Sequence, residues 1–182
     1  MSATLALAEF LAIPEQKPAL ELNPDGSIQQ KTAAGFPHAI VQVHLGYLIV
    51  RCLDEHPDHV GHAVSEVRIT VGGASRVADF ALYLGERPDL GTAGDALRVA
   101  DLVAEILSPS DSREEQRAKC RWYVEQGARV ALLLDPESEV AEFFGPVGVW
   151  EAYVGQQCLP LDELLPGVEL SADAIFAILH RH

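Results

Sequence analysis

Cysteine is scarce and unpaired here: Cys52, Cys120 and Cys158 are odd in number, widely spaced, and form no C-x-x-C motif. That argues against a disulfide framework or a zinc knuckle and fits a reducing compartment, the cytoplasm being the expectation. No uninterrupted run of about 18 apolar residues occurs, so no membrane span is expected. The first residues, MSATLALAEF, lack a basic flank and carry Glu9 in their short apolar stretch, unlike a secretory signal. G-x-S-x-G, P-loop and G-x-G-x-x-G motifs are missing, which leaves nucleophile-elbow hydrolase, nucleotidase and dinucleotide readings without support. Basic residues are also few, thirteen Lys and Arg against twenty-seven Asp and Glu, for a net charge of −14. Such a surface repels bulk phosphate. A nucleic-acid function would therefore need a local basic patch, bound cations or a partner.

What is present fills a core: 48% of the 182 residues are hydrophobic, enough for one domain over 1–182. Strand-like and helix-like stretches alternate, which points to an α/β fold. Asn23-Pro24-Asp25-Gly26 between alternating arms reads as an N-terminal β-hairpin. Ile40, Val41, Val43, Leu45, Leu48, Ile49 and Cys52 mark a largely buried helix over about 37–53. Strands are expected near 62–71 and 76–84, joined at Gly72-Gly73, and an interior strand over 98–107. Ser108-Pro109-Ser110-Asp111 ends that strand and caps a helix from Ser112 to about Gln126, with Gly127 as its stop. Strands at 130–134 and 140–144 follow, and the tail after Leu159 reads as short helical pieces broken by Pro160, Pro166 and Gly167.

Two acids break otherwise apolar strands. In Val77-Ala78-Asp79-Phe80-Ala81, alternation places Asp79 on one face with Val77 and Ala81; Glu105 shares a face with Val103 and Leu107. Burying one unpaired carboxylate costs several kcal/mol, so two of them call for a common partner. Mg²⁺ is one physical answer, because it takes one or two carboxylates together with water and phosphate oxygens. On the following helix, Lys119 projects between Trp122 and Tyr123, whereas Arg113, Arg117 and Arg121 share another face. A lysine aimed inward could stabilise a phosphate or orient an attacking water.

This acid–acid–lysine pattern resembles the PD-(D/E)XK, restriction-endonuclease-like superfamily, and is most similar to the Uma family of bacterial endonucleases. The resemblance is carried by Glu66-Val67-Arg68, Gly72 to Asp79, Val103-Ala104-Glu105-Ile106-Leu107-Ser108-Pro109-Ser110, Lys119 to Tyr123, Gly127 and Leu134-Asp135-Pro136. Glu21, Asp25-Gly26 and Pro37-His38 extend it over roughly residues 10–175. It implies a restriction-endonuclease-like core, a central mixed β-sheet flanked by α-helices. It further implies that Asp79 and Glu105, with the main-chain carbonyl of Ile106, hold Mg²⁺ (Mn²⁺ as a substitute), and that Lys119 acts from the helix because Leu107 fills the usual lysine position. Glu66 is implied as an accessory acid, and His38 and Gln42 as neighbours of the same pocket. The activity implied is hydrolysis of DNA phosphodiester bonds, and a homodimer would suit duplex cleavage. The usual proline before the first acid is Ala78 here.

Plainer readings stand beside these. Asp79 could pair with Arg68 or Arg76, and Glu105 with Lys119, as structural ion pairs. His56, His59 and His62 match no standard zinc spacing. The arginine stripe reads as a solvated face balanced by Glu114, Glu115 and Glu125. The rival function is a non-catalytic acidic protein-interaction module retaining the nuclease fold, which the net charge favours.

Overall fold

The computed structural model describes residues 5–181. Its elements are α1 (Leu7–Leu11), β1 (Leu20–Leu22), β2 (Ile28–Gln30), α2 (Phe36–Glu55), β3 (Gly61–Val71), β4 (Ala74–Leu84), β5 (Leu102–Ile106), α3 (Arg113–Glu125), β6 (Val130–Asp135), β7 (Val140–Phe144), β8 (Trp150–Tyr153) and α4 (Ala172–Phe176), the last running into a 3₁₀ turn at Ala177–His180. Among the described residues the strands form one mixed sheet in the order β2-β1-β4-β5-β6-β7-β8, with β3 on β4; β5 and β6 run parallel, joined by α3, and the other strand pairs are antiparallel. The expected α/β architecture is the one observed.

Turn chemistry sets the two hairpins. Gly26 takes φ 81 and donates its N–H to the Asn23 carbonyl. Gly72 and Gly73 take φ 57 and 79, the left-handed pair that a two-residue hairpin loop requires, and Val71 then pairs with Ala74. α3 begins where Ser112 Oγ accepts the Glu115 N–H, as the capping pattern anticipates.

α2 is long and apolar enough, by length and composition, to cross a bilayer. In the fold its Val41, Leu45, Leu48, Ile49 and Cys52 are buried with Phe80, Leu82, Leu102, Ala104 and Ile106, so it serves as the core helix of one face, together with the C-terminal segment. The opposite face packs Ala81 and Val103 against Trp122 and Tyr123 of α3. Period-2 alternation then turns Glu105 toward α3 with Val103.

Three departures from the sequence reading have local causes. The strand expected from Arg98 starts only at Leu102. Asp101 forms a polar junction, accepting the Leu84 N–H on Oδ2 (2.8 Å) and donating its own N–H to Leu82, and these contacts hold the preceding residues off the ladder. The short elements α1 and β8 carry too few residues for a periodic signal. Arg113 and Arg117 are only partly solvated: both reach strand acids, Arg113 meeting Asp135 and Glu142, and Arg117 Nε lying 2.7 Å from Glu142 Oε2. Only Arg121 keeps to its own helix, paired with Glu114.

Candidate active site

β4 holds the site because one of its edges is shared by two strands. β3 covers the other edge from Gly61↔Leu84 to Val71↔Ala74. On the shared edge, β1 joins at Leu22↔Ser75 and β5 at Phe80↔Ala104 to Leu82↔Leu102, so the stretch between has no strand partner there. Unpaired buried backbone groups are costly, and side chains take the place of the missing strand. Glu21 Oε1 accepts the Val77 N–H at 2.8 Å and Lys119 Nζ donates to the Val77 carbonyl at 3.0 Å, while Gln42 Nε2 donates to the Asp79 carbonyl at 2.7 Å where the β3–β4 pairing skips Glu66 and Asp79. The fork brings together four elements: the N-terminal hairpin, α2, the β4–β5 pair and α3.

Within the fork, Asp79 and Glu105 are each only 2% exposed. Asp79 Oδ2 accepts the Ile106 N–H at 2.7 Å, which fixes the carboxylate and leaves Oδ1 facing inward. Lys31 Nζ lies 2.6 Å from that Oδ1, a charge contact without hydrogen-bond alignment, and also donates to Glu66 Oε1 at 2.8 Å and Oε2 at 2.9 Å. His38 Nε2 is 3.5 Å from Asp79 Oδ1, while its Nδ1 shares a hydrogen bond with Ser108 Oγ at 3.2 Å. Lys119 Nζ bonds Glu21 Oε1 at 2.7 Å and Glu105 Oε2 at 3.1 Å. Gln42 Nε2 also reaches Glu66 Oε1 at 3.1 Å.

Glu66 sits opposite Asp79 in the β3–β4 pair, with φ 51, and their pairing is skipped in an otherwise continuous register. A left-handed backbone at a glutamate inside a strand costs on the order of 1–3 kcal/mol and persists where surroundings enforce it. Here the carboxylate is held by Lys31 and Gln42.

Electrostatics push the two central acids apart. Burial works to raise Asp79, but the contact with His38 and the Lys31 charge outweigh it and hold the carboxyl well below the usual range. Burial pushes Glu105 up, and the neighbouring Asp79 and Glu21 charges add to that, against the pull of Lys119. Lys119 stays charged: burial alone would lower it, but Glu105 and Glu21 raise it above the ordinary lysine value. Lys31 is raised too, its burial being overcome by Asp79 and Glu105. Four carboxylates, Glu21, Glu66, Asp79 and Glu105, share two ammonium groups here. With Glu105 pushed up to about 8 and His38 also raised, protons offset part of this acidic excess, and a divalent cation would take their place.

The donor set fits such a cation. His38 Nε2, Asp79 Oδ1 and Glu105 Oε1 are buried without a hydrogen-bond partner. Among the described residues, His38, Glu66 and Asp79 offer ligand atoms within 4.8 Å of one another. A space of only about 20 Å³ lies among Glu21, Lys31, His38, Asp79, Glu105, Ile106 and Lys119, while Glu66 lines the neighbouring cleft. That is room for one water or ion, not for a substrate. Larger clefts open on either side: one of about 420 Å³ past Ser108, Asp111 and Arg113, and one of about 670 Å³ past Lys17, Lys31 and Arg68. His38 lines both.

The family described as "Putative restriction endonuclease", Uma2, matches residues 7–173. The chain belongs to the Uma2 family. A crystal structure described as a putative nuclease belonging to DUF820, from Anabaena variabilis ATCC 29413, superposes with a TM-score of 0.86 at 26% identity, covering 96% of this chain and 99% of that one. No curated protein matches the chain.

In this Uma2 chain, every site residue expected from sequence lies in or beside the fork: Asp79, Glu105, Ile106, Lys119, Glu66, His38 and Gln42. The plain pairing of Asp79 with an arginine does not occur. Arg68 donates to the Leu20 carbonyl and Ser75 Oγ, and Arg76 to Asn23 Oδ1. Lys119 does pair with Glu105, and its three acceptors use all three ammonium N–H groups, which leaves none for a phosphate. His56 and His59 instead bond the Cys52 and Pro166 carbonyls.

Two participants were not read from sequence as site residues. Glu21 entered only as part of the family pattern, and its 4% exposure in a three-residue strand has no periodic signature. Lys31 gave no signal, because a lysine ending a hairpin arm looks like any surface lysine. It becomes a site residue only when the hairpin folds over Asp79.

Proposed function

We propose that this Uma2 member is a divalent-metal-dependent endonuclease that hydrolyses DNA phosphodiester bonds, with Mg²⁺ as the working ion. The observation that carries the reading is the cluster of His38 Nε2, Asp79 Oδ1 and Glu105 Oε1, three buried polar atoms without a hydrogen bond, in a site where carboxylates outnumber ammonium groups, beside two open clefts. Asp79 would hold the ion through Oδ1, with Glu105 Oε1 and the Ile106 carbonyl on one side and Glu66 and His38 on the other. When bound, the ion supplies charge neutralisation at the attacked phosphate and a lowered pKa for its water.

The protein's own groups do the rest. The Ile106 N–H orients Asp79, and Lys119 clamps Glu105 Oε2 so that Oε1 points inward; Lys119 is thus a positioning residue. Ser108 fixes the His38 ring through Nδ1 and so presents Nε2 to the site. Lys17, Lys31 and Arg68 line one cleft, a local cationic feature that the net charge of −14 hides, whereas Arg113 beside the other is already paired with Asp135 and Glu142.

The test is incubation of supercoiled plasmid, linear duplex, single-stranded DNA and RNA with Mg²⁺ or Mn²⁺, beside EDTA. The expected result is DNA nicking with either metal, none in EDTA, and RNA left intact. A folded protein that cuts nothing and whose melting temperature ignores both metals would instead favour the acidic interaction module.

A homodimer belongs to the same reading, since two-fold symmetry presents one site to each strand of a duplex. The exposed Phe36, Val43, Tyr47 and Val50 fall on one 100°-per-residue stripe of α2 and supply an apolar face for the contact. Sedimentation equilibrium should show a dimer that Val43→Glu converts to monomer. A monomeric wild type would remove this part of the reading.

A further inference from the structure

The least restrained cation of the site stands where an ion would bind. Asp79 Oδ2 is taken by the Ile106 N–H, so Oδ1 is its available ligand atom, and that is the oxygen Lys31 Nζ approaches at 2.6 Å. The same ammonium holds both Glu66 oxygens, at 2.8 and 2.9 Å. A Mg²⁺ ion needs these oxygens at about 2.0–2.1 Å and cannot share them with an ammonium in the same place. The space of about 20 Å³ bounded by Asp79, Glu105, His38 and Lys31 admits one small occupant, and Glu66 approaches from the adjoining cleft.

The two lysines are built differently. Lys119 is saturated with acceptors on three elements, and its side chain is 7% exposed. Among the described residues, Lys31 is held by two carboxylates alone, Asp79 and Glu66, the latter with a half-exposed side chain, and its own side chain is 13% exposed. Its backbone is anchored, the N–H donating to the Ala19 carbonyl at 2.8 Å, but its side chain borders the cleft of about 670 Å³. The ammonium therefore has a place to go on a flexible four-carbon stem.

We propose that Lys31 is a built-in counter-ion, occupying the metal position in the metal-free protein and displaced into the adjacent cleft when a divalent cation binds Asp79 and Glu66. This rests on the metal-dependent reading above. The ammonium holds two acids in ligand geometry that would otherwise repel each other, and it makes ion binding a competition. Once displaced, the charge of Lys31 lies in the cleft that borders the acids, where a phosphodiester backbone would pass. A single residue thus sets both the metal requirement and part of the substrate-side charge.

Calorimetric titration of Mn²⁺ into wild type, Lys31→Met, Lys31→Arg and Asp79→Asn tests it. Lys31→Met keeps the apolar stem and removes the charge. It should bind at least about tenfold more tightly than wild type, as expected when a site open a tenth of the time or less becomes always open. Lys31→Arg should bind no better than wild type, and Asp79→Asn should bind nothing. A second readout uses wild type alone: lysine acylation followed by mass spectrometry, in which saturating Mg²⁺ should speed modification of Lys31 several-fold and leave Lys119 unchanged. This arm decides the matter should Lys31→Met fail to fold. Equal affinity in wild type and Lys31→Met, or Lys31 acylation indifferent to Mg²⁺, overturns the counter-ion while the metal reading stands. No Mn²⁺ binding in any variant removes both.

Discussion

Asp79→Asn should abolish metal binding and reduce DNA cleavage at least about a thousandfold, because a bound Lewis acid contributes several kcal/mol and each 1.4 kcal/mol is a factor of ten. The amide is isosteric and can still accept the Ile106 N–H, so the fork should close as in wild type. What it removes is the anionic oxygen facing Lys31 and His38. Thermal melting separates the two effects. At Mn²⁺ a hundredfold above its dissociation constant, wild type should gain about 2.7 kcal/mol by mass action, and Asp79→Asn should gain nothing. In EDTA the variant should melt cooperatively. A variant that retains the full metal-induced gain would place the ion away from Asp79, and the reading of the site would fail with it.

Lys119→Met should cost about 3–5 kcal/mol of stability in urea, the penalty for leaving buried charge without its partner. Glu21 and Glu105 would face each other in a space that excludes water, and the Val77 carbonyl would lose its donor. A lysine whose task was only to touch substrate would leave the urea midpoint unmoved, so this measurement separates positioning from direct contact. Adding Glu21→Gln to Lys119→Met should recover part of the loss, since one of the stranded carboxylates is gone, and the pair should deviate from additivity by about 0.5–3 kcal/mol. Strict additivity would mean that the two side chains do not act as a unit.

How much of this was legible in the sequence follows from the length scale of each signal. Asp79 and Glu105 were readable because each interrupts an apolar strand, and a short window exposes the conflict. Lys119 was readable because helical phase separates it from the arginines. The same window misjudged Arg113 and Arg117, whose partners Asp135 and Glu142 sit on strands that only the sheet brings near. Lys31 was beyond reach for the same reason: its role is created by Glu66 and Asp79, far along the chain, and nothing in Gln30-Lys31-Thr32 anticipates them. The strand start at Leu102 was missed because Arg98 and Val99 read as a continuation of the apolar run, whereas Asp101 spends its hydrogen bonds on the end of β4. The family resemblance supplied Glu66 and His38, which periodicity alone would have left as surface residues.

The forked edge of β4 also fixes when the site can exist. Its two halves arrive from opposite ends of a long stretch of chain, Glu21 being 98 residues ahead of the Lys119 it must meet. Closing so large a loop is slow relative to forming local hairpins, and its entropy must be overcome before the contact contributes. During synthesis, the hairpin that carries Glu21 and Lys31 waits with its charges in water until α3 has emerged and docked. A growing chain therefore holds the hairpin and Asp79 well before the pocket can close, because closure waits for Glu105 and the α3 lysine that follows it by 14 residues.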